Sequence, residues 1–176
     1  PAVFLDVAKA FDTVWHNGLI YKMKNILPYN YFALIKSFIK DRKFIVRVNE
    51  RSSTLRPIEA GVPQGSVLGP ILYLIYTQDL PTPNSPNSII ATFADDTVIM
   101  SAAENLITAT NSLQRDLNKT TEWCKNWGIQ INENKTIGTI YTNKRITNTH
   151  PTIKINGEPI GIKNTQSTWE LTLTIN

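Results

Sequence analysis

Three aspartates occupy positions where an ionised side chain needs a particular reason. Asp95 and Asp96 lie side by side in TFADDTVIM, where two apolar, strand-like runs meet at a tight turn. Asp6 ends the apolar run AVFLD, where a charge is costly unless it reaches an open edge or a cation. Adjacent carboxylates repel each other, and a bound divalent cation removes that cost. Taken alone, however, an Asp-Asp pair in a turn is usually turn chemistry.

The three aspartates would form a metal site if the strand that ends at Asp6 lies beside the hairpin that carries Asp95 and Asp96. Carboxylate oxygens are hard ligands that suit Mg²⁺, which keeps several waters and shares its coordination with substrate phosphates. Two such ions about 4 Å apart stabilise the attacking and leaving oxygens of an in-line phosphoryl displacement. One ordered pattern is far more specific for a metal site than any of its features alone. It consists of an Asp at the end of a strand, then a Gly-rich loop and a helix, then a hydrophobic-Asp-Asp-hydrophobic segment.

The elements that must position these aspartates mix strands and helices, which predicts an α+β fold. The first apolar run, residues 2–7, predicts a strand. Helical spacing is found in residues 19–26, 31–39, 68–76 and from 101 to about 127. Hairpin or strand patterns are found in residues 43–59, 89–100, 136–142, 152–160 and 171–175.

The long helix has a predicted start and a predicted stop. The stretch SAAE has the form of a capping box, in which Ser101 and Glu104 satisfy backbone N–H groups. Gly128 favours an end just after Trp127, and both Trp123 and Trp127 read as core residues rather than base-stacking platforms. His16 has no second His or Cys at metal-ligand spacing, so it reads as structural.

Composition sets the broad class of the protein. The 176 residues suit one ordinary domain, and a hydrophobic content of 41% argues against disorder. The net charge of +4 and a pI near 9.2 are compatible with a polyanionic partner but do not prove one. The lone Cys124 fits a reducing compartment, and neither a signal peptide nor an apolar run of membrane-spanning length is found. Because the chain opens at Pro1 within a core-like strand, we expect it to be a piece of a longer polypeptide.

Four blocks of the chain resemble, in order, the signature blocks of reverse transcriptases. The blocks are FLDVAKAFDTVWHNGL, AGVPQGSVLGPILYLIYTQDLP, TFADDTVIM and WGIQINENKT. They are most similar to those of non-LTR (LINE-type) retrotransposons, especially the insect jockey-like group, and cover residue 2 to about residue 160. The resemblance implies a polymerase palm, an antiparallel sheet with helices packed on one face, with the fingers missing. It implies a reverse transcriptase palm over residues 1–150 and the start of a primer-grip, thumb-proximal hairpin over residues 151–176, with degradation of that hairpin in this copy as an alternative.

The resemblance also implies a role for each aspartate. Asp6 would be the first metal ligand, and the backbone carbonyl of Val7 a further one. Asp95 would be the stronger ligand of its pair, and Asp96 the adjacent supporting carboxylate. The cofactor would be two Mg²⁺ ions, for which Mn²⁺ can substitute. The reaction would be attack of a primer 3′-OH on the α-phosphate of an incoming deoxynucleotide, with pyrophosphate leaving.

Further positions follow from the same resemblance. Phe11 would be a steric gate under the sugar that excludes a 2′-hydroxyl, although core packing also suits a Phe in an apolar run. Pro63, Gln64 and Gly65 would lie against the nascent base pair, with the glutamine near the template strand. Lys135 would lie near the pyrophosphate and act as a general acid, whereas most lysines are solvated surface charges.

The implied partners are an RNA template, a DNA primer and a dNTP, with no membrane and with the fingers and thumb of the parent polypeptide missing. The parent element is expected inside the cell, in the nucleus and cytoplasm. Residues 169–172, WELT, depart from the usual Lys-Tyr-Leu-Gly of the primer grip, which a decaying or truncated copy would explain. An inactive relic or RNA-binding remnant would carry the same aspartates. An RNA-dependent RNA polymerase is the third alternative, and Phe11 argues against it because selection of ribonucleotides needs a polar partner for the 2′-OH.

Overall fold

The computed structural model describes residues 1–142 and 151–165, which fall into two compact units. The first unit comprises the described residues of Pro1–Asp6, Pro81–Glu122 and Ile131–Asn176, and the second comprises Val7–Leu80 and Trp123–Gln130. The helices are α1 (His16–Lys24), α2 (Tyr29–Ile39), α3 (Leu68–Thr77) and α4 (Leu106–Asn126). The strands are β1 (Ala2–Leu5), β2 (Lys43–Phe44), β3 (Arg47–Val48), β4 (Arg51–Ser52), β5 (Arg56–Pro57), β6 (Ser88–Phe93), β7 (Asp96–Ser101), β8 (Ile137–Tyr141), β9 (Lys154–Ile155), β10 (Glu158–Pro159) and β11 (Gly161–Thr165).

A five-stranded sheet is the centre of the first unit. Its strand order is β11-β8-β1-β7-β6, and every neighbouring pair is antiparallel except β11 with β8, which is parallel. Strand β1 therefore lies in the middle, between β7 and β8. Successive side chains alternate between faces, so Val3 and Leu5 are buried while Phe4 between them is exposed.

The buried face of this sheet packs against one side of α4. The cluster combines sheet residues, two leucines of α4 and three isoleucines that follow residue 150: Val3, Leu5, Ile99, Leu113, Leu117, Ile153, Ile155 and Ile160. Burying each such side chain contributes about 1.5–3 kcal/mol relative to leaving it in water. The predicted α+β class, with a mainly antiparallel sheet and helical packing, is confirmed.

The hairpin of β6 and β7 carries the Asp-Asp pair. Phe93 pairs with Asp96 as the last pair of the ladder, so the turn itself contains only Ala94 and Asp95. The expectation that both aspartates lie in the turn is therefore wrong for Asp96, which is the first residue of β7. Ala94 has a φ of 54°, a left-handed conformation that is uncommon for residues other than glycine.

Helix α4 begins differently from the sequence prediction. Asn105 Oδ1 accepts a hydrogen bond of 2.8 Å from the N–H of Ile107, so Asn105 caps the helix. Ser101 instead ends β7, where its hydroxyl accepts a hydrogen bond of 3.0 Å from the hydroxyl of Ser88. The predicted capping box at residues 101–104 is wrong, because Ser101 belongs to β7 and its hydroxyl is hydrogen-bonded to Ser88 on the neighbouring strand. The predicted stop is confirmed: the helix ends at Asn126, just before Gly128 with its φ of 67°.

The shorter predicted hairpins are also present. Strands β2 and β3 pair with β5 and β4 in the second unit, and β9 pairs with β10 around a turn at residues 156–157 in the first. No helix among the described residues is long and apolar enough to cross a membrane. Residues 169–172, the strand pattern at 171–175 and the predicted boundary at residue 150 lie outside the described residues.

Candidate functional site

Asp6 directly follows β1, and hydrogen bonds fix its main chain from both sides. Its N–H donates to the hydroxyl of Thr136 over 3.4 Å, and its carbonyl accepts from the N–H of Asn132 over 2.8 Å. The Thr136 hydroxyl in turn donates to the carbonyl of Asn132 over 2.9 Å. These contacts use only main-chain atoms of Asp6, so they leave its partly exposed carboxylate accessible to an external ligand.

The register of the sheet places the aspartates at one end of neighbouring strands. Leu5 of β1 pairs with Thr97 of β7. Asp6 comes just after Leu5, and Asp96 comes just before Thr97, so both lie at the same end of this antiparallel pair. Asp95 is one residue further, in the turn, and is partly exposed, whereas Asp96 is exposed.

The donor chemistry of this end of the sheet fits a divalent cation that completes its coordination with other oxygens. Within residues 1–142 and 151–165, no three His, Cys, Asp or Glu side chains gather closely enough to form a metal site by themselves. The protein alone therefore does not preassemble the three carboxylates for which the sequence predicts a shared metal site. Mg²⁺ ordinarily binds through one or two carboxylates plus waters and substrate phosphates, rather than in an all-protein cage. Accessible carboxylates on adjacent strands meet that requirement.

Lys135 lies in a turn that is connected to the main chain of Asp6. Its N–H donates to the carbonyl of Asn132 over 3.2 Å, and its side chain is exposed. Asn132 and Thr136, at the two ends of this turn, are the residues that hold Asp6. The resemblance implied a role for Lys135, whereas the roles of Asn132 and Thr136 were not predicted from the sequence. Their role depends on contacts about 130 positions away, although the Asn-x-x-x-Thr spacing in NENKT is a local signal for the turn.

In the second unit, the Gly-rich loop pairs with the segment that contains Phe11. The N–H of Gly61 donates to the carbonyl of Val14, and the N–H of Val62 donates to the carbonyl of Phe11, each over 2.8 Å. Gly61 has a φ of 89°, and an added Cβ would lie 2.9 Å from the carbonyl oxygen of Asp12. Only glycine therefore permits this close approach. His16, predicted to be structural, contacts the same loop through a 2.8 Å hydrogen bond between its Nε2 and the Gly61 carbonyl.

Gln64 is exposed and oriented by a partner on the Phe11 segment. Its Nε2 donates to Asp12 Oδ1 over 2.9 Å. The ring of Phe11 is partly buried, with its centroid 5.1 Å from that of Tyr73. The structure thus brings Phe11 and Gln64 into one hydrogen-bonded segment pair, in which Asp12 orients the side chain of Gln64.

The start of α3 holds the rest of the Gly-rich loop. The hydroxyl of Ser66 donates to the carbonyl of Pro63 over 2.8 Å and accepts from the N–H of Gly69 over 3.0 Å. An added Cβ on Gly69 would lie 2.7 Å from the Pro63 carbonyl oxygen, so this glycine allows the loop to fold onto the helix. Gly65 is exposed with a φ of 79°, and nothing lies within 4 Å of an added Cβ there. The loop therefore presents an open surface at Gly65.

A buried lysine in the second unit was not anticipated from the sequence. The side chain of Lys22 is 3% exposed and donates to the carbonyl of Tyr76 and to the carboxylate of Asp79. Its Nζ lies 3.5 Å from the ring centroid of Trp127 and 4.9 Å from that of Trp123. Burial lowers the pKa of Lys22, and Asp79 partly offsets this effect. Both tryptophans therefore have the structural role that the sequence predicted.

Comparison with known sequences supplies the family. The profile described as reverse transcriptase (RNA-dependent DNA polymerase) matches residues 1–171. The chain is 41% identical over 162 residues to the probable RNA-directed DNA polymerase from transposon BS of Drosophila melanogaster. It is 40% identical over 163 residues to the RNA-directed DNA polymerase from mobile element jockey of the same fly. Each match covers 89% of this chain but only 18% of the relative, so the chain spans about a fifth of the length of these proteins.

Solved structures share the fold at low sequence identity. Apo telomerase from Candida tropicalis, truncated from its C-terminal domain, superposes with a TM-score of 0.61 and 16% identity, covering 84% of this chain and 31% of that one. Telomerase from the same organism in complex with a fragment of telomeric RNA gives a TM-score of 0.56 and 15% identity, covering 77% of this chain and 25% of that one. These likenesses support a palm-type fold.

Proposed function

The chain belongs to the reverse transcriptase family, and we propose that it is the palm of an RNA-directed DNA polymerase from a jockey-like non-LTR retrotransposon. Reverse transcriptases use divalent metal ions and act on nucleic acids, and both features suit this chain. The observation that carries the proposal is the position of Asp6 and Asp96 at the same end of paired strands. This position occurs in a chain that is about 40% identical to jockey-type polymerases.

In the proposed reaction, a primer 3′-OH attacks the α-phosphate of a dNTP and pyrophosphate leaves. Two bound Mg²⁺ ions would supply the charge neutralisation for this displacement. Asp6, Asp95 and the Val7 carbonyl are the proposed ligands, with Asp96 as the supporting carboxylate. Lys135 is the proposed proton donor to pyrophosphate, and the hydrogen bonds from its turn to the main chain of Asp6 support this assignment.

The proposed template side of the site is the loop Pro63–Gln64–Gly65. Asp12 holds the side chain of Gln64 in a fixed position, which supports our assignment of its amide to a contact with the template strand. Gly65 has no side chain and lies in open space, which allows a base pair to approach the backbone closely. This loop orients the nascent base pair by shape and hydrogen bonding and takes no part in the bond-making step.

Phe11→Ala, made in a jockey polymerase that contains this chain in place of its own segment, is expected to weaken the selection of deoxynucleotides over ribonucleotides. Removing the ring opens the volume in which a 2′-hydroxyl would clash, so kcat/KM for ribonucleotides should rise relative to deoxynucleotides by about a hundredfold, or about 3 kcal/mol. The measurement is the ratio of the two kcat/KM values. Phe11→Tyr, which keeps the bulk, serves as the control and should preserve the ratio. An unchanged ratio in Phe11→Ala would leave the ring with only its packing role beside Tyr73.

The proposed function is tested by exchanging segments between relatives. This chain replaces the matching segment of a jockey polymerase, and the chimera is assayed for primer extension on an RNA template with dNTPs. We expect extension that requires Mg²⁺ or Mn²⁺ and stops on chelation. The unmodified jockey polymerase is the control. A folded chimera that binds primer and template but extends nothing would mark this chain as an inactive relic.

A further inference from the structure

The hairpin of β2, β3, β4 and β5, residues 42–58, concentrates the positive charge of the chain; we call it the basic hairpin. It contains five Lys or Arg residues and one Glu, a net charge of +4. The whole chain also has a net charge of +4, so the remainder is neutral overall. The basic character that the composition shows therefore belongs to one short element.

Each cross-strand pair of the basic hairpin contains one basic residue. The pairs are Lys43 with Pro57, Phe44 with Arg56, Arg47 with Ser52, and Val48 with Arg51. Residues that lie opposite each other in antiparallel strands share a face, and like charges there would be destabilising. Neighbouring residues along a strand face opposite sides. This register therefore distributes positive charge over both faces without placing two cations directly opposite each other.

The basic hairpin is exposed along its length, and its apolar side chains lie among the cations. The large apolar residues are 44–64% exposed: Phe44, Ile45, Val46, Val48 and Leu55. Within the described part of the chain, no ion pair joins any basic residue of the hairpin to a carboxylate. A two-stranded hairpin of this kind gains little stability in isolation, so a bound partner would add to it.

We propose that the basic hairpin binds the sugar-phosphate backbone of a nucleic acid strand, while its apolar side chains contact the bases. Phosphates neutralise cations that have no protein partner, and exposed aromatic and aliphatic surface is suited to unstacked bases. An apolar protein surface is a poorer occupant, because covering five unpaired cations carries a large desolvation cost. This inference deepens the proposed polymerase function, since it adds a nucleic-acid-binding surface in a compact unit different from the one that carries the aspartates.

The test is the salt dependence of nucleic acid binding by the 176-residue chain. Fluorescence anisotropy is recorded with labelled single-stranded RNA, single-stranded DNA and an RNA–DNA duplex of about 20 nucleotides, between about 50 and 200 mM salt. The variant is Arg47→Gln/Arg51→Gln/Arg56→Gln. The slope of the logarithm of the association constant against the logarithm of the salt concentration is negative. We expect its magnitude to decrease by about 2 to 3 in this variant, since each phosphate contact contributes about 0.7 to 0.9. Affinity at the lowest salt should fall at least about tenfold.

The matched control removes the same charge elsewhere, with Lys24→Gln/Lys125→Gln/Lys154→Gln at three exposed lysines. It should change affinity by less than about threefold and leave the slope intact. A gain-of-function variant, Glu50→Lys in the exposed turn of the hairpin, should raise both affinity and slope. Three results would each overturn the inference. They are equal losses of affinity in the two triple variants, no measurable binding of nucleic acid by the wild type, and an effect of the hairpin variant on self-association alone.

The binding assay separates this inference from the proposed function. It contains no divalent cation and no dNTP, so it reports binding without catalysis. Glu122→Gln should retain the wild-type slope, because this exposed residue of α4 lies outside the basic hairpin and outside the proposed catalytic site. Loss of binding in the hairpin variant together with an inactive chimera would support the surface and reject the polymerase. If the chimera extends the primer but the hairpin variant binds nucleic acid as well as the wild type, the polymerase function is supported and the nucleic-acid-binding surface is rejected.

Discussion

Asp95→Asn in the chimeric polymerase is expected to lower the rate of primer extension at least about a thousandfold, equivalent to about 4 kcal/mol of transition-state stabilisation. Asparagine has nearly the shape of aspartate but lacks the charge that a divalent cation requires. Asp6→Asn should have the same effect. Its hydrogen bonds to Thr136 and Asn132 use only main-chain atoms and persist in the variant. Asp96→Asn should cost less, about 10–100-fold, as expected of a supporting carboxylate.

The aspartate variants need a control that removes a negative charge without touching the proposed site. Glu122→Gln serves this purpose, because Glu122 is an exposed residue of α4. Its extension rate should stay within about twofold of the parent, as surface substitutions usually have small effects. If Asp95→Asn and Asp6→Asn chimeras both extend at the rate of Glu122→Gln, the ligand assignment is wrong even if the chimera is active.

Lys22→Ala is expected to destabilise the protein by about 3 kcal/mol, which corresponds to a fall in Tm of about 10 °C for a chain of this size. A desolvated cation over an aromatic ring contributes about 1–2 kcal/mol, and its hydrogen bond to the Tyr76 carbonyl about 1.5–3 kcal/mol. The ion pair adds little, because the Asp79 side chain is 47% exposed. The measurement is the free energy of unfolding in urea together with Tm.

Lys24→Ala is the matched control for Lys22→Ala. Lys24 lies in the same helix two residues later but is exposed, so its loss should change the free energy of unfolding by less than about 0.5 kcal/mol. A pH titration adds a second readout. Burial lowers the pKa of folded Lys22, so the unfolded chain keeps its proton to higher pH. Wild-type stability should therefore gain from this residue as pH rises through its folded pKa, and Lys22→Ala should lack that gain. Equal effects of the two substitutions would show that the aromatic enclosure contributes nothing.

The sequence was sufficient for elements whose signals are local. The apolar run before Asp6, the periodic run of α3 and the glycine that ends α4 each specify their element through a few neighbouring residues. The turn Asn156–Gly157, within the hairpin predicted over residues 152–160, has the same property, because its two residues accept the positive φ values that a tight hairpin requires. These elements were predictable because no distant contact competes with the local preference.

The sequence was insufficient where a distant partner decides. The SAAE stretch has the pattern of a capping box, but Ser88 on the neighbouring strand engages Ser101 and so Asn105 caps α4. The burial of Lys22 could not be predicted from its own helix, because its partners Tyr76 and Asp79 lie 54 and 57 positions away in the chain. For the candidate site, the register of β1 with β7 could not be read from the sequence, and neither could the contacts of Thr136 with Asp6.

The proposal that Asp6, Asp95 and Asp96 share a divalent cation site is tested most directly by locating the bound cation on the chain itself. Mn²⁺ is added at substoichiometric amounts to ¹⁵N-labelled protein with a dNTP present, and paramagnetic broadening of the backbone amides is mapped. We expect broadening centred on residues 5–7 and 94–97 together, and loss of both in Asp95→Asn. Broadening confined to one of these segments, or centred elsewhere on the chain, would contradict a cation site shared by Asp6, Asp95 and Asp96.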